Sequence, residues 1–172
     1  MMIRKALTYE AQAILDLYHS VIDGMANSPY KPKWQKGIYP TIDDISSAIS
    51  NKELYIALSE DDAVSGAVIL RHESEAGYEN VFWGLDTQNY SVVHLLAVSP
   101  TKQRSGIARA LLDAARDSAR ENGSEAIRLD TLPYNTPAQR LYESFGFQYK
   151  GEVELYYTVT GNTAYKMYEY LF

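Results

Sequence analysis

The sequence predicts an α/β (α+β) fold in which a mixed central sheet of about six to seven strands is flanked by about four helices. It predicts one domain over residues 1–172. Three observations lead there. Segments of strand length, either alternating or continuously apolar, recur along the chain and are separated by stretches with apolar residues at helical spacing. The helical stretches carry their own start and stop signals. A length of 172 residues, with 46% hydrophobic and 22% charged residues, suits one self-sufficient core, and no repeat, low-complexity tract or linker divides it.

From the N-terminus, Ile3 to Leu7 reads as the first strand. Thr8 is placed to cap a helix whose Ala11, Ile14, Leu15, Tyr18 and Ile22 share a face. Asp23 to Pro40 holds Gly24, Pro29, Pro32, Gly37 and Pro40 among Tyr30, Trp34 and Tyr39, so it reads as a long loop with aromatic anchors. Two readings stand for that loop: the wall of a pocket, or aromatics that pin it to the core. Thr41-Ile42-Asp43-Asp44 caps a short helix running to Ser50. Leu54 to Ser59 and Val64 to Arg71 form a hairpin around the acidic turn Glu60-Asp61-Asp62. In residues 73–91, Glu73, Glu75 and Glu79 either border a pocket or belong to a solvated loop, and Val81-Phe82-Trp83 reads as a short strand piece.

Val92 to Val98 is the next strand. Strict alternation would put His94, Leu96 and Val98 on one face and Val93, Leu95 and Ala97 on the other. A helix follows from Gly106 to Asn122, with Ile107, Ala108, Leu111, Leu112, Ala115 and Ala119 at helical spacing, and Gly123 stops it. The first N–H groups of a helix lack intrahelical partners and sit at its positive end, so this strand-to-helix turn is suited to phosphate. Gly106 lets an anion approach the chain, and small Ala108 permits close contact with the sheet. Lys102, Arg104 and Arg109 either surround the turn with positive charge or are ordinary solvated side chains, and Arg104 is the best anion partner.

Ala126 to Asp130 is a strand, and Thr136-Pro137-Ala138-Gln139 opens the last helix. Here Thr136 is expected to cap, Pro137 to take the first helical position and Gln139 to complete a capping box. Phe145-Gly146-Phe147 ends that helix. Ala138, Leu141, Tyr142 and Phe145 fall on one face, which turns Tyr142 toward the sheet. Tyr149 to Tyr157 and Ala164 to Leu171, joined through Thr160-Gly161-Asn162, close the sheet.

Gln103-x-x-Gly106-x-Ala108 after Ala97-Val98-Ser99-Pro100, then Asn135-x-x-Ala138-x-x-x-Tyr142 and the ending Tyr142-x-x-x-Gly146-Phe147, resembles the GNAT N-acetyltransferases. The resemblance covers most of the chain from Leu54 onward, whereas the first part of the chain matches only in layout. It implies the GNAT-like acyl-CoA N-acyltransferase fold, with acetyl-CoA (coenzyme A) as cosubstrate and no metal. The implied reaction is direct transfer of an acetyl group to a primary amine of a small molecule or peptide in a ternary complex. The alternative is a non-catalytic acyl-CoA-binding or regulatory module of the same fold.

By that resemblance Gln103, Arg104, Ser105, Gly106, Ile107, Ala108 and Arg109 hold the diphosphate, and Asn135 and Ala138 meet the pantetheine or phosphate arm. The backbone of Leu96, Ala97 and Val98 pairs with pantetheine where the strand splays from its neighbour, and Tyr142 protonates the departing thiolate. His94, in a His-x-Leu-Ala-Val stretch similar to that of members whose strand histidine assists deprotonation, is the candidate base. A packed structural histidine and a water base stay open beside it.

A net charge of −6 argues against a protein that neutralises many nucleic-acid phosphates and favours a cationic amine as acceptor. An alkylammonium, with a pKa of about 10, must lose its proton before it can attack, and histidine titrates in the range suited to taking it. No apolar run approaches the roughly 18 residues of a bilayer span, and Met1 to Thr8 lacks the apolar core of a secretion signal, so no membrane partner and a cytoplasmic location are expected. With no cysteine there is neither a disulfide nor a cysteine acyl-enzyme. His19 and His72 read as structural or exposed, and Asp130, strand-terminal and of a type that commonly orders a following loop, is left unassigned. Fifteen tyrosines are present. Those of the closing strands reflect strand propensity, or else an aromatic cleft or the seam of a homodimer.

Overall fold

The strands assemble into one seven-stranded sheet in the spatial order β1-β2-β3-β4-β5-β7-β6. They are β1 (Met2–Lys5), β2 (Leu54–Leu58), β3 (Val64–Arg71), β4 (Tyr90–Val98), β5 (Ala126–Thr131), β6 (Gln148–Tyr157) and β7 (Gly161–Leu171). The computed structural model describes residues 1–73 and 75–172. All neighbours run antiparallel except β4 and β5, which are parallel. Four α-helices cover the sheet among the described residues: α1 (Ala11–Gly24), α2 (Ile42–Ser50), α3 (Ile107–Glu121) and α4 (Thr136–Phe145). None of them is long and apolar enough to cross a membrane.

The helix starts follow local chemistry, although not always through the expected residue. At α2 the Thr41 hydroxyl accepts the Asp44 N–H at 3.2 Å and the Asp44 carboxylate accepts the Thr41 N–H at 2.7 Å, closing the predicted capping box. Thr8 does not cap α1. A 3-10 turn over Thr8–Glu10 precedes the helix, and the Glu10 carboxylate takes the Leu7 N–H at 2.7 Å while pairing with Arg4 at 2.6 Å. At α4 the cap is Asn135, whose side-chain oxygen accepts the Ala138 N–H at 3.3 Å, and Thr136 is already helical. Gln139 forms no box; its amide donates to the carbonyls of Leu132 and Pro133 at 3.3 and 2.9 Å. Val81-Phe82-Trp83 is no strand either. It leaves a 3-10 turn over Tyr78–Asn80 with Val81 buried and Phe82 95% exposed.

The two faces of the sheet separate cleanly. On one, Ala57, Val68, Leu70, Val93, Ile127 and Leu129 pack against Leu111, Leu112 and Ala115 of α3 and Tyr142 and Phe145 of α4. On the other, Leu54, Ile56, Ala67 and Ile69 pack against Ile14, Tyr18 and Val21 of α1 and Ile45 of α2. The close approach of α3 rests on Gly66, where an added Cβ would stand 2.7 Å from Ile107 Cγ2 and 3.1 Å from the Ala97 carbonyl. Ala108, expected to permit that contact, is only half-buried.

Strict alternation fails in β4. Ile69 pairs with His94 but Ala67 pairs with Ala97, so β4 carries one residue more than β3 over this stretch, and Leu95 takes φ +51°. This bulge moves Leu96 and Val98 to the α3 face beside Val93, while Leu95 and Ala97 join the α1 face. His94 thereby lies opposite Leu96 and Val98, not beside them. The Tyr18 hydroxyl holds the bulge by donating to the Leu95 carbonyl at 2.8 Å.

Candidate active site

The parallel pairing of β4 and β5 stops at Val92 and Arg128. Beyond it the strands diverge around a cavity of about 660 Å³. Val93 to Val98 line it, so this stretch of β4, Leu96, Ala97 and Val98 included, presents backbone groups that no β5 partner takes up.

One end of the cavity meets the start of α3. The first intrahelical bond runs from the Ala110 N–H to the Gly106 carbonyl at 3.0 Å and no side chain caps the helix, so the amides of Ile107, Ala108 and Arg109 remain available to an anion. Gly106 has φ +83° and Arg104 φ +62°, which turns the chain sharply, and a Cβ built on Gly106 would meet no atom within 4 Å. Gln103 and Ala108 line the cavity itself, while Arg104, Ser105 and Gly106 between them in the chain are exposed. The Ile107 side chain is core, so only its amide can serve a ligand. The Arg109 guanidinium leans away, over the Phe145 ring at 5.4 Å from its centroid. Asn135, Ala138 and Tyr142 of the α4 segment line the same end. Tyr142 is 7% exposed, and its pKa is raised by burial, with Asp130 and Tyr168 adding to the shift, so the phenol holds its proton at neutral pH. This end can take an anion at the helix start and an extended polar chain along the free edge of β4.

The other end is built from side chains that are distant in sequence. His94 Nε2 lies 3.1 Å from Glu75 Oε2, but the carboxylate is off the ring N–H direction and Nε2 is buried without an aligned hydrogen bond. Burial pushes the Glu75 carboxyl up, yet contact with His94 and the charge of Arg71 outweigh it and hold it below the ordinary range. Asp130 accepts hydrogen bonds from the hydroxyls of Tyr78 at 2.8 Å and Tyr157 at 2.7 Å, joining β5 to the 3-10 turn and to β6. Burial raises its pKa against those two bonds and the charge of His94. Tyr30, Trp34 and Tyr39 all line this end, and Trp34 sits edge-on to Tyr18 at 5.4 Å, so the loop of residues 25–40 is both pinned and pocket wall. Burial pushes the Tyr39 hydroxyl up to about 12.

The structure thus brings His94, Tyr142, Asn135 and the Gly106 turn to one cavity. Sequence reasoning missed Tyr78, Tyr157 and Arg71 and left Asp130 unassigned. For Asp130 the signal was in the alternation of β5: Ile127 and Leu129 face α3, so Asp130 must face the side of His94. Glu75 was one of three acids in its loop. Glu73 is exposed, and Glu79 accepts the Gly77 N–H at 2.9 Å. His72 is structural, bonded to Ser91 at 2.7 Å and Asn122 at 2.9 Å. Among the described residues no cluster of metal-ligating side chains occurs.

The profile of the acetyltransferase (GNAT) family matches residues 20–147. N-alpha-acetyltransferase RimI of Mycobacterium tuberculosis is 40% identical over 75 residues, 44% of this chain and 46% of RimI, so the match spans less than half of either protein. A GNAT-family acetyltransferase of Streptococcus agalactiae superposes with a TM-score of 0.83 at 21% identity, covering 99% of this chain and 95% of that one. The Salmonella typhimurium protein yncA, solved with its cofactor acetyl-CoA, superposes with a TM-score of 0.72 at 17% identity over 99% of this chain and 93% of its own. At these identities the two structures are alike in fold.

Proposed function

The chain belongs to the acetyltransferase (GNAT) family, and on that premise we propose that it transfers an acetyl group from acetyl-CoA to a primary amine of a small molecule or peptide. Both substrates would meet in the one cleft. The observation that carries this reading is the divergence of β4 from β5 beside the uncapped start of α3. It leaves an extended backbone edge and three helix amides in line for a pantetheine arm and its diphosphate.

Acetyl-CoA, when bound, supplies the activated acyl group as a thioester. The protein's own part is placement and proton handling. The Ile107, Ala108 and Arg109 amides would hold the diphosphate, Gly106 leaving room for it, and the β4 backbone from Leu96 to Val98 would align the arm. The His94 ring would take the proton of the acceptor ammonium, and Glu75, 3.1 Å from its buried Nε2, would steady the imidazolium so formed. Tyr142 keeps its proton on Oη until it is released toward the donor end.

Tyr142→Phe tests the assignment. Turnover, followed as acceptor-dependent thiol release, should fall about 100-fold, the scale of one general acid, while acetyl-CoA affinity measured by calorimetry stays the same. Unchanged turnover removes the acid role. Tight coenzyme A binding with no thiol release for any amine replaces the enzyme by a binding module.

A further inference from the structure

We infer that the acceptor is a free α-amino acid whose carboxylate is held by Arg71 while its amine faces His94 and Glu75; this rests on the acetyl-transfer reading and narrows it. Arg71 ends β3. Two residues earlier Ile69 pairs with His94 and packs on the α1 face, so period-two alternation sends Arg71 to the same face as His94. It is half-buried and lines the cavity.

The acids at that end have other work. Asp44 holds the N–H and hydroxyl of Thr41 at 2.7 and 2.8 Å, Asp130 holds two tyrosines, and Glu75 lies against His94. Among the described residues Arg71 forms no ion pair. A guanidinium presents five N–H donors in a planar fork that matches a carboxylate, and a partly desolvated one without such an acceptor is costly.

The cavity therefore offers a cationic group at Arg71 and a carboxylate at Glu75, which is complementary to a zwitterion. A peptide N-terminus would set a neutral amide where Arg71 calls for charge. Met25, Trp34 and Ile38 add an apolar wall, suited to an apolar side chain.

Calorimetric titration of the intact protein with L-methionine, L-leucine and L-phenylalanine, each against its α-carboxamide, reads the subsite without turnover. At about pH 6.5 both amines of a pair are protonated. The expected result is one or more acids binding about 30-fold tighter than the amide, the scale of a charged hydrogen-bonded pair. Arg71→Met should erase that ratio and Arg71→Lys restore part of it. No binding by any acid, an amide bound as well as its acid, or a preference that survives in Arg71→Met overturns the inference. If Arg71→Met does not fold, the wild-type ratio alone decides. Acid-selective binding without acceptor-dependent thiol release leaves the carboxylate subsite standing and brings down the acetyl-transfer reading instead.

Discussion

The two ends of the cleft are made in different ways. The donor end is mostly backbone: helix amides, a freed strand edge and a glycine at positive φ, all within Leu96 to Arg109 plus one turn at Asn135. The acceptor end is side chains from β3, β4, β5, β6 and two loops, held by contacts as remote as Asp130 with Tyr78. A backbone site needs only local torsions, so it is compact in sequence. A side-chain site can be rebuilt by changing loops, so it carries the choice of acceptor.

If the ends are separable, damage to one should spare the other. The largest effect is expected at Arg128, whose guanidinium lies 4.4 Å from the Trp83 ring centroid and 4.0 Å from that of Tyr90, donates to the Leu85 carbonyl at 2.7 Å and pairs with the fully buried Glu169 at 3.2 Å. It pins the segment that follows Tyr78. Arg128→Met should cost about 3 kcal/mol in chemical denaturation because it leaves the buried Glu169 carboxylate with only Lys150 at 3.6 Å and the Gly84 N–H at 2.7 Å, and adding Glu169→Leu should recover part of the loss. Coenzyme A affinity should not change; a parallel loss there would mean the ends are one unit.

Gly106→Ala probes the other end. The Cβ meets open space but must adopt φ +83°, so stability should fall by about 1 kcal/mol. Coenzyme A should bind about tenfold more weakly, the equivalent of about one lost hydrogen bond. An altered acceptor KM would blur the division.

The smallest effect is a slope. Asp130 holds its proton more tightly folded than unfolded, so its contribution to stability is fully present below the ordinary value of 3.8 and is lost as pH rises through its raised folded value. Asp130→Asn should therefore gain less than wild type on acidification within that window, measured as denaturation midpoints across pH. Parallel curves would show that burial does not govern this carboxyl.

The capping box at Thr41 and Asp44, the acidic hairpin turn at residues 60–62 and the Gly106 joint were all readable in order along the chain. They depend on residues a few positions apart. Asn135 rather than Thr136 capped α4 because two adjacent cap-forming side chains are locally almost equivalent, and the following turn decides between them.

The sequence by itself determined the order of strands and helices, the phosphate-suited turn and the inward face carrying Tyr142, because periodicity and backbone torsion are local properties. Only the tertiary structure decided which way His94 faces, through one extra residue in β4 opposite β3. It alone decided that Glu75, Asp130 and Arg71 gather around that residue. Bulges and side-chain clusters are set by pairing between strands and by burial, and neither is encoded in the spacing along any single segment.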